Sequence, residues 1–322
     1  MTQSESILHC GDGSQLARPR QAVILAGGRG TRLAPISDLR PKPLIEFHGQ
    51  PFINYLLEML SREGFERVVV LTGYRGRQLE TALGNGAKWG LKIVYHWSPE
   101  EFDTGTRVQA AGALLDETFL LLYCDNYWPL PFDQLWLQYC AMEVDALVTV
   151  YRNSDNYTRS NLIVDASGKV VLYDKTRSAK NLQGVDIGFL ILRKHLLELL
   201  PPGNINLERE LFPKLIEQGQ LAAFVTEHRY YSVGDILRLP ATEKFLRFEP
   251  TILLDRDGVL NKKRPRGEYV TDWREWKWKD HALSGLRKLT QAGYRIVIVT
   301  NQAGIARGMM DAGALENIHS RM

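Results

Sequence analysis

The stretch AVILAGGRGTRLAPISDLRPKP, residues 22–43, decides the fold. An apolar run of β character feeds directly into a loop with glycines at 27, 28 and 30, then Thr31, Arg32 and a Pro-Lys-Pro. Glycines placed after a strand let several backbone N–H groups approach phosphate oxygens and point into one concavity, so the pattern reads as anion-binding architecture. It is not a P-loop, which needs Gly-Lys-Ser/Thr. It is not the dinucleotide fingerprint either, since Leu33 stands where the third glycine would fall.

Beyond this loop, strand-like runs alternate with helical patterns: FINYLLEMLSREG (52–64), ERVVVLTGY (66–74), GRQLETALGNG (76–86), KIVYHW (92–97) and FLLLYCDN (119–126). Such alternation predicts an α/β fold with a mostly parallel sheet and helices on both faces. From 145 the chain reads as richer in strand, with a hairpin in LIVDASGKVVLYDK (162–175) and closing helices at 207–218 and around 239–247. A fresh apolar strand after Phe248–Pro250 places a boundary there. The expected organisation is a loose N-terminal extension (1–20), a first domain (21–248) and a second (249–322).

Composition narrows the class. The chain has 322 residues, 44% hydrophobic and 24% charged, with no apolar run of the 18 or so residues that a membrane span needs. Its net charge of +3 arises from 40 Lys+Arg interleaved with 37 Asp+Glu, without the basic stripe of a nucleic-acid binder. Three cysteines (Cys10, Cys124, Cys140) without CxxC spacing suit a reducing compartment, and the polar N-terminus lacks a signal-peptide core, so the cytoplasm is expected.

The motif GGRGTRLxPxSxxxPKP resembles that of the sugar-1-phosphate nucleotidyltransferases, over about residues 21–247. The resemblance implies a GT-A-like (Rossmann-like) mixed sheet and a reaction in which a sugar 1-phosphate attacks a nucleoside triphosphate and releases pyrophosphate. It places Leu25, Ala26, Gly27, Gly28, Gly30 and Thr31 along the nucleotide, Arg32 on the triphosphate and Lys42 near the reacting phosphate. Asp125 ends an apolar strand, where open parallel sheets bind ligands, and reads as the ligand of a magnesium ion or else as a turn-forming Asp-Asn. Looser matches put Lys175, Gly188 and Glu208 at the sugar phosphate, with surface, bulge and capping roles as equal alternatives. Ser232 stands where the family often has a second metal-binding Asp, leaving open whether Asp235 replaces it. FDTGTRVQAAGALL (102–115) departs from the usual Gly-Thr-Ala-Gly pattern, although Gly105 and Thr106 at a helix start keep a nucleotide role plausible.

Residues 253–261, LLDRDGVLN, resemble the first signature of haloacid-dehalogenase-like phosphatases. The resemblance makes Asp255 the nucleophile, Asp257 the general acid/base and both of them metal ligands, with Thr300 and Asn301 holding the phosphate. The wording looks like the histidinol-phosphate and heptose-bisphosphate phosphatase branch. Trp273, Trp276 and Trp278 are read as core packing in preference to a substrate rim. The family's later lysine and acidic ligands fall beyond Met322, so this part reads as a truncated, partial HAD-like unit and is expected to be inactive. A phosphatase fused to a nucleotidyltransferase suggests a D-glycero-manno-heptose 1-phosphate guanylyltransferase. The alternatives are another hexose 1-phosphate with UTP, dTTP or CTP, or a non-catalytic nucleotide-sugar sensor. A homo-oligomer is possible.

Overall fold

The computed structural model describes residues 8–9, 15–34, 37, 40–247, 250–265 and 267–322. Most of the expected extension, with Cys10, and Phe248–Glu249 at the expected boundary lie outside the described residues. The chain divides into two compact units, Met1–Leu246 and Arg247–Met322. Residues 17–20 are not loose: the Arg18 guanidinium donates to Asp133 and to the Glu63 carbonyl, and lies over the Phe132 ring.

The first unit is built on a seven-stranded sheet. In chain order its strands are β1 Gln21–Ala26, β2 Arg67–Thr72, β3 Lys92–Trp97, β4 Thr118–Tyr123, β5 Ala146–Tyr151, β6 Val185–Arg193 and β7 Leu221–Thr226. Their spatial order is β7-β5-β6-β4-β1-β2-β3. All neighbours are parallel except β6, which runs antiparallel to β5 and β4, so the sheet is mixed. The central strands are buried on both faces, which is why they read as continuous apolar runs. Ile24, Val68 and Leu122 pack on one face with α1 (Phe52–Arg62), and Val23, Leu71 and Leu121 on the other with the helix Leu207–Glu217.

From β1 the chain moves outward to β2 and β3, then returns to place β4 on the opposite flank of β1. The carboxyl ends of β1 and β4 therefore meet at a switch point, where loops diverge and leave a crevice. The glycine loop follows β1 and Asp125 follows β4, so topology alone brings the two motifs together. The 162–175 hairpin forms as Leu162–Val164 with Val170–Tyr173. Cys124 and Cys140 are buried.

The second unit holds a parallel pair, β8 Thr251–Asp255 and β9 Arg295–Val299. Its small core joins Leu260, Val270, Trp276 and Ile318, with Trp273 and Trp278 packed against it. Trp273 stacks on Trp276, and Trp278 meets it edge-on, so the tryptophans are core. Among the described residues β8 pairs only with β9, and Leu253 stays 67% exposed.

Candidate active site

At the carboxyl end of β1 the backbone turns left-handed at Gly30 (φ 68°), where a methyl group would also lie 2.9 Å from Lys42 Cε. The left-handed backbone favours glycine there, and a larger residue would have to push the Lys42 side chain aside. Gly28 is exposed with open space beside it, so its missing side chain keeps the loop approachable from solvent. Lys42 begins a single 3-10 turn set by Pro41, and its Nζ donates to Asp125 Oδ2 at 3.0 Å, both side chains being largely buried. Gly234 lies against the same carboxylate: a methyl there would stand 3.3 Å from Asp125 Oδ2, 3.2 Å from Ser232 Oγ and 3.9 Å from Arg32 Nη2. Lys42, Asp125, Ser232 and the exposed Arg32 thus converge beside the glycine loop.

A second polar cluster occupies the β4–β6 side. The Tyr123 hydroxyl donates to Glu208 Oε1, and Lys175 Nζ donates to Glu208 Oε2 at 3.2 Å and to Asn206 Oδ1 at 2.5 Å. Glu208 is only 3% exposed, so Lys175 and Tyr123 offset the cost of burying its charge. Asp186, two residues before Gly188 on β6, accepts from the Gly188 N–H at 2.8 Å. Burial first, and then the neighbouring Glu208, push the Asp186 carboxyl up to about 7. Gly188 is left-handed (φ 82°), and a methyl on it would lie 2.9 Å from Tyr123 Cδ2, so the glycine makes room for the tyrosine.

Other expected residues sit differently. Leu25 and Ala26 bury their side chains in the core and present only backbone. Thr31 is exposed at the start of the 3-10 turn Thr31–Leu33. Asp235 turns one carboxylate oxygen onto Leu237 N at 2.9 Å and caps the next turn, a short-range bond that competes with metal binding. Gly105 and Thr106 do not open onto the glycine loop. Thr106 Oγ donates to the Gly203 carbonyl and accepts from Ile205 N, and a methyl on Gly105 would meet the Ile205 carbonyl at 3.0 Å. These two residues anchor the 203–207 segment.

In the second unit Asp255 is exposed at the end of β8, beside Thr300, which follows β9 in register. Asp257 does not share that exposure. Arg256, 0% exposed, donates to Asp257 Oδ2 at 2.8 Å, as does Gln302 Nε2 at 2.8 Å, while Asn261 Nδ2 donates to Oδ1 at 2.9 Å. Burial opposes ionisation of Asp257, but Asn261, Gln302 and Arg256 outweigh it and hold the carboxyl below its usual range. The expected proton donor and metal ligand is thus also the ion-pair partner of a buried arginine. Thr300 Oγ1 is likewise engaged, accepting from Gln302 Nε2, whereas Asn301 is exposed. Among the described residues no three His, Cys, Asp or Glu side chains gather as a ready metal cluster, and no helix is long and apolar enough to cross a membrane.

Against known families, residues 21–166 match the nucleotidyl transferase model. Residues 251–322 match the model described as polynucleotide kinase 3 phosphatase. A mannose-1-phosphate guanylyltransferase of Mycobacterium tuberculosis is 29% identical over 201 residues, covering 62% of this chain and 56% of that protein. The catalytic subunit beta of the Drosophila melanogaster mannose-1-phosphate guanylyltransferase is 29% identical over 229 residues, covering 66% and 59%. The chain therefore spans less than two thirds of the length of these relatives. The crystal structure of HddC from Yersinia pseudotuberculosis superposes with a TM-score of 0.61 at 23% identity, covering 70% of this chain and 99% of that one, and shows the shared fold. Three buried or half-buried polar residues near the crevice were not singled out by sequence reasoning: Tyr123, Asp186 and Arg107. Asp186 carried a signal, a carboxylate on an otherwise apolar strand two residues before a glycine.

Proposed function

We propose that the first unit transfers a nucleotidyl group from a nucleoside triphosphate to a sugar 1-phosphate, with GTP and a heptose 1-phosphate as the best-fitting pair. The observation that carries this reading is the convergence of Arg32, Lys42 and Asp125 beside the glycine loop, next to a separate polar cluster suited to sugar hydroxyls. The glycine-loop amides and Arg32 bind the triphosphate. Lys42 stabilises the charge that spreads over the α-phosphate as a sugar-phosphate oxygen attacks in line and pyrophosphate leaves. Lys175 and Glu208 orient the sugar. The guanylyl assignment is supported by the names of the two relatives above, and the heptose by the phosphatase-like partner segment.

The donor set fits a divalent ion that is shared with substrate. Asp125 offers a carboxylate at a strand end, Ser232 offers no second charge, and Asp235 is engaged in its cap. Asp125 together with triphosphate oxygens would hold magnesium, which supplies neutralisation of phosphate charge. The second unit is read as a weak phosphatase or none, because Asp257 is held ionised by Arg256, Gln302 and Asn261. A cytoplasmic location belongs to the same reading.

The test is pyrophosphate release across four nucleoside triphosphates and a panel of hexose and heptose 1-phosphates, with Asp125→Asn as control. Release with no pair would favour a sensor of nucleotide sugars, and release untouched by Asp125→Asn would remove the metal assignment.

A further inference from the structure

Arg107 lies on the short helix Thr104–Ala110 and is 3% exposed. A buried guanidinium normally finds a carboxylate. Here its acceptors are four backbone carbonyls and one hydroxyl: Thr72 O at 2.5 Å, Pro99 O at 3.1 Å, Glu100 O at 3.4 Å, Phe102 O at 2.8 Å, and Ser98 Oγ. Asp103 and Glu101 act on it only through space.

The bonds have a common geography. Thr72 ends β2, Ser98 follows β3, and Gly27 follows β1. A methyl on Gly27 would stand 2.2 Å from Arg107 Cζ, and one on Gly73 would stand 2.6 Å from Nη1. Two glycines on separate strands thus leave the space that the guanidinium fills. The Gly27 carbonyl also accepts from Tyr74 N at 3.0 Å, and Arg29 of the glycine loop pairs with Glu100 of the loop that Arg107 holds. One side chain bonds the carboxyl ends of β2 and β3 to each other and packs beneath Gly27 at the end of neighbouring β1.

Those ends form one half of the crevice. Asp125 and the Tyr123–Asp186–Glu208 cluster occupy the β4–β6 half, which leaves the β1–β2–β3 half for the nucleoside of a triphosphate whose phosphates reach Arg32 and Lys42. We propose that Arg107 is a positioning residue for that nucleoside: by clamping the ends of β1, β2 and β3 into one floor it sets triphosphate affinity and discrimination between bases. This rests on the reading that the glycine loop receives the triphosphate. Arg107 touches no reacting atom. Its donors are consumed by backbone, so it acts through the shape it imposes and through the positive charge it holds beneath Gly27.

The experiment is calorimetric titration of the full chain with each of four nucleoside triphosphates, for the wild type, Arg107→Met and Arg107→Lys, alongside thermal melting. Arg107→Met is expected to weaken binding of the preferred triphosphate about tenfold and to narrow the spread among bases by a similar factor, on the scale of one lost charge-assisted hydrogen-bond set. Arg107→Lys should fall between the two, and sugar 1-phosphate affinity should change less than about twofold on the same scale. A lowered melting temperature with unchanged affinities and base ratios would overturn the proposal by making Arg107 purely structural. If Arg107→Met does not fold, Ser98→Ala, which removes one acceptor at the end of β3, carries the same expectation in weaker form. A wild type that binds triphosphates but releases no pyrophosphate with any sugar phosphate would sink the transfer reading and leave this one standing; a wild type that binds none overturns both.

Discussion

Lys42 Nζ sits 3.0 Å from Asp125 Oδ2, and each residue follows a different segment that the sheet brings to the same crevice. In the free protein the pair satisfies itself, since an unpaired charge at this depth would be costly. On the proposed reading, triphosphate binding turns both groups to phosphate or to its cation, so they would function as a unit. Asp125→Asn and Lys42→Met are each expected to lower kcat/KM for pyrophosphate release by about 10²–10³. The double variant should lose little more than either single one. Multiplicative losses in steady-state assays would show that the two act independently.

Gly188 carries a left-handed backbone (φ 82°) and faces Tyr123 at a distance that a methyl would reduce to 2.9 Å. Gly188→Ala should destabilise the first unit by about 1–3 kcal/mol through backbone strain. The same change displaces Tyr123 from Glu208, so KM for sugar 1-phosphate should rise while KM for triphosphate holds. Denaturant melts and two-substrate kinetics measure the two effects, and unchanged stability would mean that the strand relaxes around the new side chain.

Asp186 titrates near 7 in the folded chain because it is buried beside Glu208, with the Gly188 N–H, Lys175 and Arg177 opposing the shift. The ordinary value is 3.8, so between the two the folded state binds a proton that the unfolded chain has released. Stability from this group is complete below about pH 4 and is lost as pH rises through about 7. Partial solvent access at Asp186 screens the effect. Asp186→Asn should therefore melt with a flatter profile than the wild type between pH 5 and 8. Parallel profiles in scanning calorimetry would place the proton elsewhere.

The meeting of the glycine loop and Asp125 was legible in the sequence because both motifs end apolar strands, and a parallel sheet gathers strand ends on one edge. Arg107 was not legible. Along the chain it is one charged residue on a short polar helix, and its burial depends on two glycines, Gly27 and Gly73, contributed by other strands. The bonds of Thr106 to the 203–207 segment were not legible for the same reason, since these partners lie about a hundred residues away. The helix Phe132–Met142 went unanticipated because it is apolar nearly all round, which blurs its periodicity, and β7 because the two alanines of its LAAFVT run weaken the strand signal. The pairing of Asp257 with Arg256 was not legible either, because it depends on the burial of Arg256 in the small core of the second unit.

That pairing gives the second unit its sharpest test. Arg256 is 0% exposed, with Asp257 the one carboxylate paired to it among the described residues, and Gln302, His319 and the Trp276 ring completing its surroundings. Asp257→Asn leaves the guanidinium buried without a counter-ion and should cost about 3–5 kcal/mol. Asp255→Asn, at an exposed strand end, should cost less than about 0.5 kcal/mol. Hydrogen exchange in the full chain, read at the backbone amides of 256–302, separates the two because it reports this unit alone. A general acid would show the reverse ranking: Asp257→Asn would be tolerated structurally while phosphate release from a sugar bisphosphate fell. Protection lost in Asp257→Asn and kept in Asp255→Asn establishes the structural role, and protection kept in both returns Asp257 to the chemistry.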